Sequence, residues 1–145
     1  MISYLPFKAE HVKQMRVQEA QCWVGMYDES YPVFKLLEDH WSNTVMKDGV
    51  PILCGGVIEF WKNRGGLWAI VSKDCGPKEF VAVHRLVQSF LASLPYARLE
   101  FHVDVDFEQG HRWASLLGFE MEAPRLRAYQ PNGRDAALYA RVTHG

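Results

Sequence analysis

The hydrophobic and polar positions of this chain change period several times, and each change predicts an element. Ile2, Tyr4 and Pro6 alternate with Ser3 and Leu5, which predicts a short first strand. Lys8–Cys22 reads as a helix, with Val12, Met15 and Cys22 at helical spacing and Glu19 interrupting the stripe. A second helix is expected from about Tyr31 to Val45, because Phe34, Leu37, Trp41 and Val45 recur at three- and four-residue steps. The period then shortens. Val50–Trp61 reads as one long strand, or two joined at Gly55-Gly56, where the glycines imply a bulge or a close approach of two backbones. Lys62–Gly66 is a turn, and Leu67–Ser72 is a near-continuous apolar run of the kind buried on both faces.

Asp74–Pro77 is a loop, and Pro77 suits the first turn of the helix Lys78–Leu94, which carries Phe80, Val83, Val87, Phe90 and Leu94 on one face and stops at Pro95. Arg98–Asp104 alternates cleanly. Leu99, Phe101 and Val103 take one face, and Glu100, His102 and Asp104 take the other as a solvent-facing row. Glu108–Leu117 is a short helix with Gly118 past its end. A strand starts at Phe119, and Leu126–Gln130 and Ala136–Val142 flank Asn132-Gly133 as a terminal hairpin. The order predicts an α+β domain, a mixed and mainly antiparallel sheet with helices on both faces, over residues 1–145 as a single domain.

Composition narrows the function classes. With 145 residues, 48% of them hydrophobic, the chain can bury a sizeable core, and five Trp, six Tyr and eight Phe point to an aromatic-rich interior or cleft. A net charge of -1 provides no field to attract nucleic acid or an anionic membrane. Arg125, Arg127 and Arg134 could form a local basic patch, but a solvated hairpin accounts for them. Cys22, Cys54 and Cys75 lie far apart without a C-x-x-C, so no metal site is expected, and an odd number of thiols fits a reducing cytoplasm. His84 and His111 lack a partner at metal spacing. Cys75 precedes a helix, where a thiolate would be favoured, but no base for a Cys-His pair is visible. No secretory signal and no apolar stretch long enough to span a bilayer is read.

The last third carries a family likeness. Leu117-Gly118-Phe119 ends a short helix that begins with Arg112-Trp113. Asn132–Asp135 forms the following turn, and Leu138–Val142 is the last strand. Together with Gly55-Gly56 and the segment Leu67–Asp74, this ordered set resembles the GNAT family of N-acetyltransferases, most closely its tailed-phage members, which include small internal virion proteins of T7-like phages. The likeness covers about residues 50–143.

The resemblance implies acetyl-CoA as cofactor and an amine-bearing protein or small molecule as acceptor. It places the thioester and pantetheine arm along Trp68–Ser72, with the pyrophosphate on backbone N–H groups at the start of the next helix. Carried over, the cofactor-binding residues are Ile70, Val71, Ser72, Lys73, Gly76, Pro77 and Lys78, with the two lysines adding charge-assisted contacts. The backbone of Trp68–Ser72 would polarise the thioester carbonyl. The loop departs from the family's Gln/Arg-x-x-Gly-x-Gly/Ala: Gly76 is its only glycine, Asp74 adds a negative charge, and Pro77 removes a donor. The tyrosine that many members carry five residues before the Phe of Leu-Gly-Phe is here Ala114. Tyr129 and Tyr139 are the stand-ins.

A general base is also needed. Glu59, Glu100, His102 and Asp104 are the candidates, with Glu59 preferred for its place in the segment that lines the family's acceptor cleft. The implied catalytic set is Glu59, Glu100 and Tyr129. The acceptor cleft would use Trp41, Trp61 and the Gly55-Gly56 region. The lost glycine motif keeps a second reading open. In it the chain is a non-catalytic phage virion or assembly protein that works through contacts with structural or host proteins, with Trp23, Trp41 and Trp61 as contact residues, located in the host cytoplasm or the virion.

Overall fold

A computed structural model describes residues 1–17, 33–38 and 41–143 of the chain. The elements run β1 (Ile2–Pro6), α1 (Ala9–Lys13), α2 (Val33–Leu37), β2 (Trp41–Lys47), β3 (Val50–Trp61), β4 (Arg64–Val71), α3 (Pro77–Ser93), β5 (Arg98–Asp104), α4 (Glu108–Leu116), β6 (Glu120–Leu126) and β7 (Ala136–Val142). The strands form one seven-stranded sheet in the order β1-β2-β3-β4-β5-β7-β6. The β1–β2, β2–β3, β5–β7 and β6–β7 ladders are antiparallel, and β4–β5 is parallel. This is the mixed, mainly antiparallel α+β architecture that the element order predicts. The chain divides into two compact units: Met1–Ile58 with Trp68–Leu94, and Glu59–Leu67 with Pro95–Gly145.

The first unit is built round an aromatic and aliphatic cluster. Phe7, Val12, Met15, Phe34, Leu37, Cys54 and Ile70 are buried together, with Ile58 and Trp68 packed against them. Trp68 meets Phe7 edge to face at 5.0 Å between ring centroids. Each such buried side chain contributes about 1.5–3 kcal/mol. The glycine pair resolves as a close backbone approach. A Cβ on Gly55 would lie 2.8 Å from the Trp68 carbonyl oxygen, and one on Gly56 would lie 2.7 Å from the Ser42 Cα. The irregularity in the β2–β3 ladder falls at Val45/Met46 instead.

Several expectations are corrected. The helix expected over Tyr31–Val45 is five residues long, and Trp41–Lys47 is a strand paired on both sides. Two of its three buried positions are polar. Ser42 and Thr44 are buried, and Ser42 Oγ donates to the Leu37 carbonyl at 2.8 Å. Thr44 Oγ1 lies 2.7 Å from His11 Nδ1, so the alternation is inverted and invisible to hydropathy. Of the expected helix Lys8–Cys22, Ala9–Lys13 is helical among the described residues, and Val17 already bridges to Ser72. Gln18–Cys22 and Trp23 lie outside the described residues. In β4 only Gly65, Gly66 and Ile70 are buried, so the apolar run is half-covered rather than enclosed.

The second unit has β5 at its centre, paired with β7 along its full length. The row expected to face solvent does not: Glu100 and Asp104 are buried. Their ion pairs, described below, make burial tolerable. Tyr139 lies stacked against Phe101 at 5.9 Å and donates to His111 Nδ1 at 2.7 Å. The other His111 nitrogen donates to the Val105 carbonyl at 3.0 Å, which fixes the tautomer. Gly118, at φ 86, ends α4 as expected. The β6–β7 connection is longer than an Asn-Gly hairpin: β6 ends at Leu126, and Pro131-Asn132 sits in a turn closed by Gly133 N–H to the Gln130 carbonyl at 2.8 Å. Two of the three arginines are paired. Arg125 pairs with Asp135, and Arg134 pairs with Asp104 and Asp106.

Candidate functional site

The β4–β5 ladder consists of Arg64↔Arg98, Gly65↔Leu99 and Gly66↔Glu100, and no residue of β4 after Gly66 belongs to it. β4 then runs on to Val71 and leads through a short loop into α3, whose N-cap is Gly76 and first residue Pro77. Strand end, loop and helix start all lie in the first unit. Ile70 is buried in the aromatic cluster and Val71 is half-buried.

The loop is held by its own bonds. Ser72 is fully buried, and its N–H donates to the Ile52 carbonyl at 2.9 Å. Lys73 N–H donates to the Arg16 carbonyl at 2.7 Å, Cys75 N–H to the Ser72 carbonyl at 3.1 Å and Gly76 N–H to the Asp74 carbonyl at 3.1 Å. Asp74 N–H donates to Ser72 Oγ at 3.0 Å. The charge on Asp74 is matched by Arg16, whose Nε and Nη2 both reach Oδ1, at 3.0 and 2.5 Å. That pair holds the carboxyl below its ordinary range. Asp74 is therefore an anchor for the loop, neutralised by a cation that sequence reading did not connect to it.

At the helix start, Glu79 stands at the third helical position. Its carboxylate is 2.6 Å from Lys47 Nζ, and its Oε1 would lie 3.6 Å from a Cβ on Gly76. Lys47, first, and then its own backbone N–H hold Glu79 below the usual carboxylate range. Lys73 and Lys78 are exposed, and neither forms an ion pair among the described residues. Cys75 is half-buried, and its thiol is pushed up to about 11 by burial and then by Glu79. It is a protonated thiol at neutral pH, the reverse of the thiolate that its place before a helix favours.

The acid–base candidates lie in the second unit. Glu59 is exposed near the end of β3 and accepts a hydrogen bond from Tyr96 Oη at 3.0 Å. Glu100 has both oxygens taken. Arg64 holds Oε1 through Nε at 3.0 Å and through Nη2, and Arg98 Nε holds Oε2 at 2.7 Å. Burial alone would raise this carboxyl, but the two guanidiniums outweigh it and keep the group below the usual range. Tyr129 is exposed on the β6–β7 connection, with its ring edge to face with His102 at 4.9 Å. No hydrogen bond or ring contact joins Glu59, Glu100 and Tyr129 among the described residues. Ala114 is fully buried, so α4 offers no polar group there. Trp41 and Trp61 are both exposed.

For acetyl-CoA, the strand and the loop answer differently. The early end of the β4–β5 ladder and a helix starting directly after β4 suit the arm and a phosphate. The loop amides do not supply a ready anion nest, because Lys73, Asp74, Cys75 and Gly76 already donate within the protein and Pro77 has no N–H. Lys78, Glu79 and the two lysine side chains are what the helix start retains. Among the described residues no group of His, Cys, Asp and Glu could hold a metal ion, and no helix is long and apolar enough to cross a membrane.

No protein-family model matches the sequence, and no curated protein matches it. Solved structures do match the fold. The ribosomal-protein-S18-alanine N-acetyltransferase from Escherichia coli aligns with a TM-score of 0.73 and 16% identity over 100% of this chain and 97% of that one. Ard1 from Thermoplasma volcanium aligns at 0.72 and 12% over 99% of each chain. A GNAT-family acetyltransferase from Bacillus cereus ATCC 10987 aligns at 0.70 and 12% over 100% and 99%. These matches lie at the level of the whole fold, and none of the three is a tailed-phage protein. The chain has the fold of the GNAT acetyltransferases.

Proposed function

We propose that this protein is an acetyl-CoA-dependent N-acetyltransferase acting on an amine of a protein or small molecule. The observation that carries the reading is the three-pair β4–β5 ladder, which ends at Gly66 and is followed directly by the strand end and helix start of the first unit. In this reading Trp68–Ser72 binds and orients the cofactor arm, and the start of α3, with the Lys73 and Lys78 side chains, takes the phosphates. Acetyl-CoA supplies an activated acetyl thioester when bound. Glu59 takes the proton-accepting role toward the attacking amine, because it is exposed and pairs with no cation among the described residues, whereas both oxygens of Glu100 are engaged by arginines. Tyr129, exposed on the β6–β7 connection, is assigned the proton-donating role toward the leaving thiolate.

Isothermal titration and thermal shift with acetyl-CoA test this. Binding in the micromolar range is expected, and ligand at about 100 times its Kd raises stability by about 2.7 kcal/mol. Absence of binding at millimolar acetyl-CoA overturns the reading and leaves a protein that works through contacts alone.

A further inference from the structure

We propose that the open groove between β1 and α3 is a docking site for an extended segment of a partner protein, which adds to the edge of β1 and sets an acidic side chain on Arg85. The inference is independent of the acetyl-CoA reading. It uses neither the β4–β5 ladder nor the start of α3, and both walls of the groove belong to the first unit. The groove measures about 580 Å³ and lies between Ile2, Ser3 and Tyr4 on one side and Ala82, Arg85, Leu86 and Ser89 on the other. The four helix positions stand at i, i+3, i+4 and i+7, one face of α3. The three strand positions are consecutive and their side chains alternate, so the groove follows the edge of β1 rather than one of its faces.

That edge is unpaired. β1 ends the sheet, with β2 on its other side. Asp48 N–H donates to the Met1 carbonyl at 3.2 Å and Phe7 N–H to the Ser42 carbonyl at 3.3 Å, so the odd-numbered positions of β1 bond to β2. Ile2 and Tyr4 then direct their N–H and C=O groups outward. An antiparallel segment lying there exchanges two bonds with each of them, and Pro6, which lacks an N–H, ends the ladder. The Tyr4 ring, 64% exposed, gains cover from the same segment.

Charge selects the occupant. Arg85 is exposed and pairs with no acid among the described residues. Ser3, Tyr4 and Ser89 add hydroxyls, and no Asp or Glu lines the groove among the described residues. A carboxylate on the incoming segment therefore completes the site. A second copy of this chain fits less well, because Met1–Phe7 carries no Asp or Glu and β1-to-β1 pairing brings no counter-charge to Arg85. The groove is open to solvent, so a chain can run along it, and the carboxylate belongs to a side chain rather than to a chain end.

The probes are the blocked peptides acetyl-TVTETVT-amide and acetyl-TVTVEVT-amide, which place glutamate on opposite faces of a strand. Their neutral counterpart is acetyl-TVTQTVT-amide. Titration followed by amide NMR is expected to show one of the two acidic peptides binding, with the Ile2 and Tyr4 amides protected from exchange. The neutral peptide binds about tenfold more weakly, and Arg85→Gln weakens the acidic peptide about tenfold while leaving the neutral one unchanged. Tyr4→Pro removes an outward N–H from an edge strand and abolishes binding, whereas Tyr4→Thr keeps it. Failure of both acidic peptides to bind at millimolar concentration overturns the proposal. So does binding that Arg85→Gln leaves unchanged, or equal binding by acetyl-TVTQTVT with a free carboxyl end, which makes the carboxylate terminal. Protection of Ile2 and Tyr4 that rises with protein concentration in the absence of peptide overturns it in favour of a second copy.

Discussion

Glu59 on β3 and Glu100 on β5 are the same residue type, and their surroundings give them different work. Glu100 is buried between Arg64 and Arg98, and Arg98 also reaches Glu122. Removing its charge leaves two guanidiniums short of a partner, so Glu100→Gln is expected to cost about 3 kcal/mol of stability, read from the urea midpoint. Glu59 is exposed and hydrogen-bonded by Tyr96, so Glu59→Gln leaves the midpoint nearly unchanged. In an acetylation assay it lowers turnover roughly 100-fold, the lower end of what a general base contributes. Equal turnover for Glu59→Gln and the native protein would remove Glu59 from the reaction. From the sequence alone both carboxylates are candidates. Two arginines, one of them 36 residues away along the chain, separate them.

Local sequence marks some elements well and others poorly. Strand β5 and helix α3 lie where their periods and Pro95 put them, because apolar side chains face inward there at regular spacing. Strand β2 is hidden because its inward side chains are Ser42 and Thr44, each satisfied by a partner that only the folded chain supplies. The glycines divide in a similar way. Gly56 lies against the backbone of β2, which cannot move without breaking a ladder, whereas a Cβ on Gly66 would meet only the exposed Phe60 ring, at 2.6 Å. Gly56→Ala is therefore expected to cost about 2 kcal/mol, and Gly66→Ala less than about 1 kcal/mol because the ring can turn aside. Equilibrium unfolding of the two variants checks the contrast, and equal costs would contradict it.

At the scale of the whole molecule, buried ion pairs make stability depend on acid. Asp104 is lowered to about 2, first by Arg134, against burial, with Asp106 N–H and Gln130 assisting. The folded value lies below the unfolded one of about 3.9. The stabilisation, about 2 kcal/mol, is therefore present above roughly pH 4 and is lost as pH falls from 4 toward 2. Urea midpoints at pH 6, 4 and 2 should show the native protein losing this increment and Asp104→Asn lacking it, so that the two converge at pH 2. The sequence by itself determined the fold class, the positions of β3, β5, α3 and α4, and the likeness to GNAT proteins, because these rest on hydrophobic period and on glycines and prolines whose constraints are local. Tertiary structure alone decided which charges are neutralised. Arg16 reaches Asp74, Lys47 reaches Glu79 and Arg64 reaches Glu100 across 58, 32 and 36 residues of chain, and electrostatic pairing follows distance in space, which spacing in sequence does not encode.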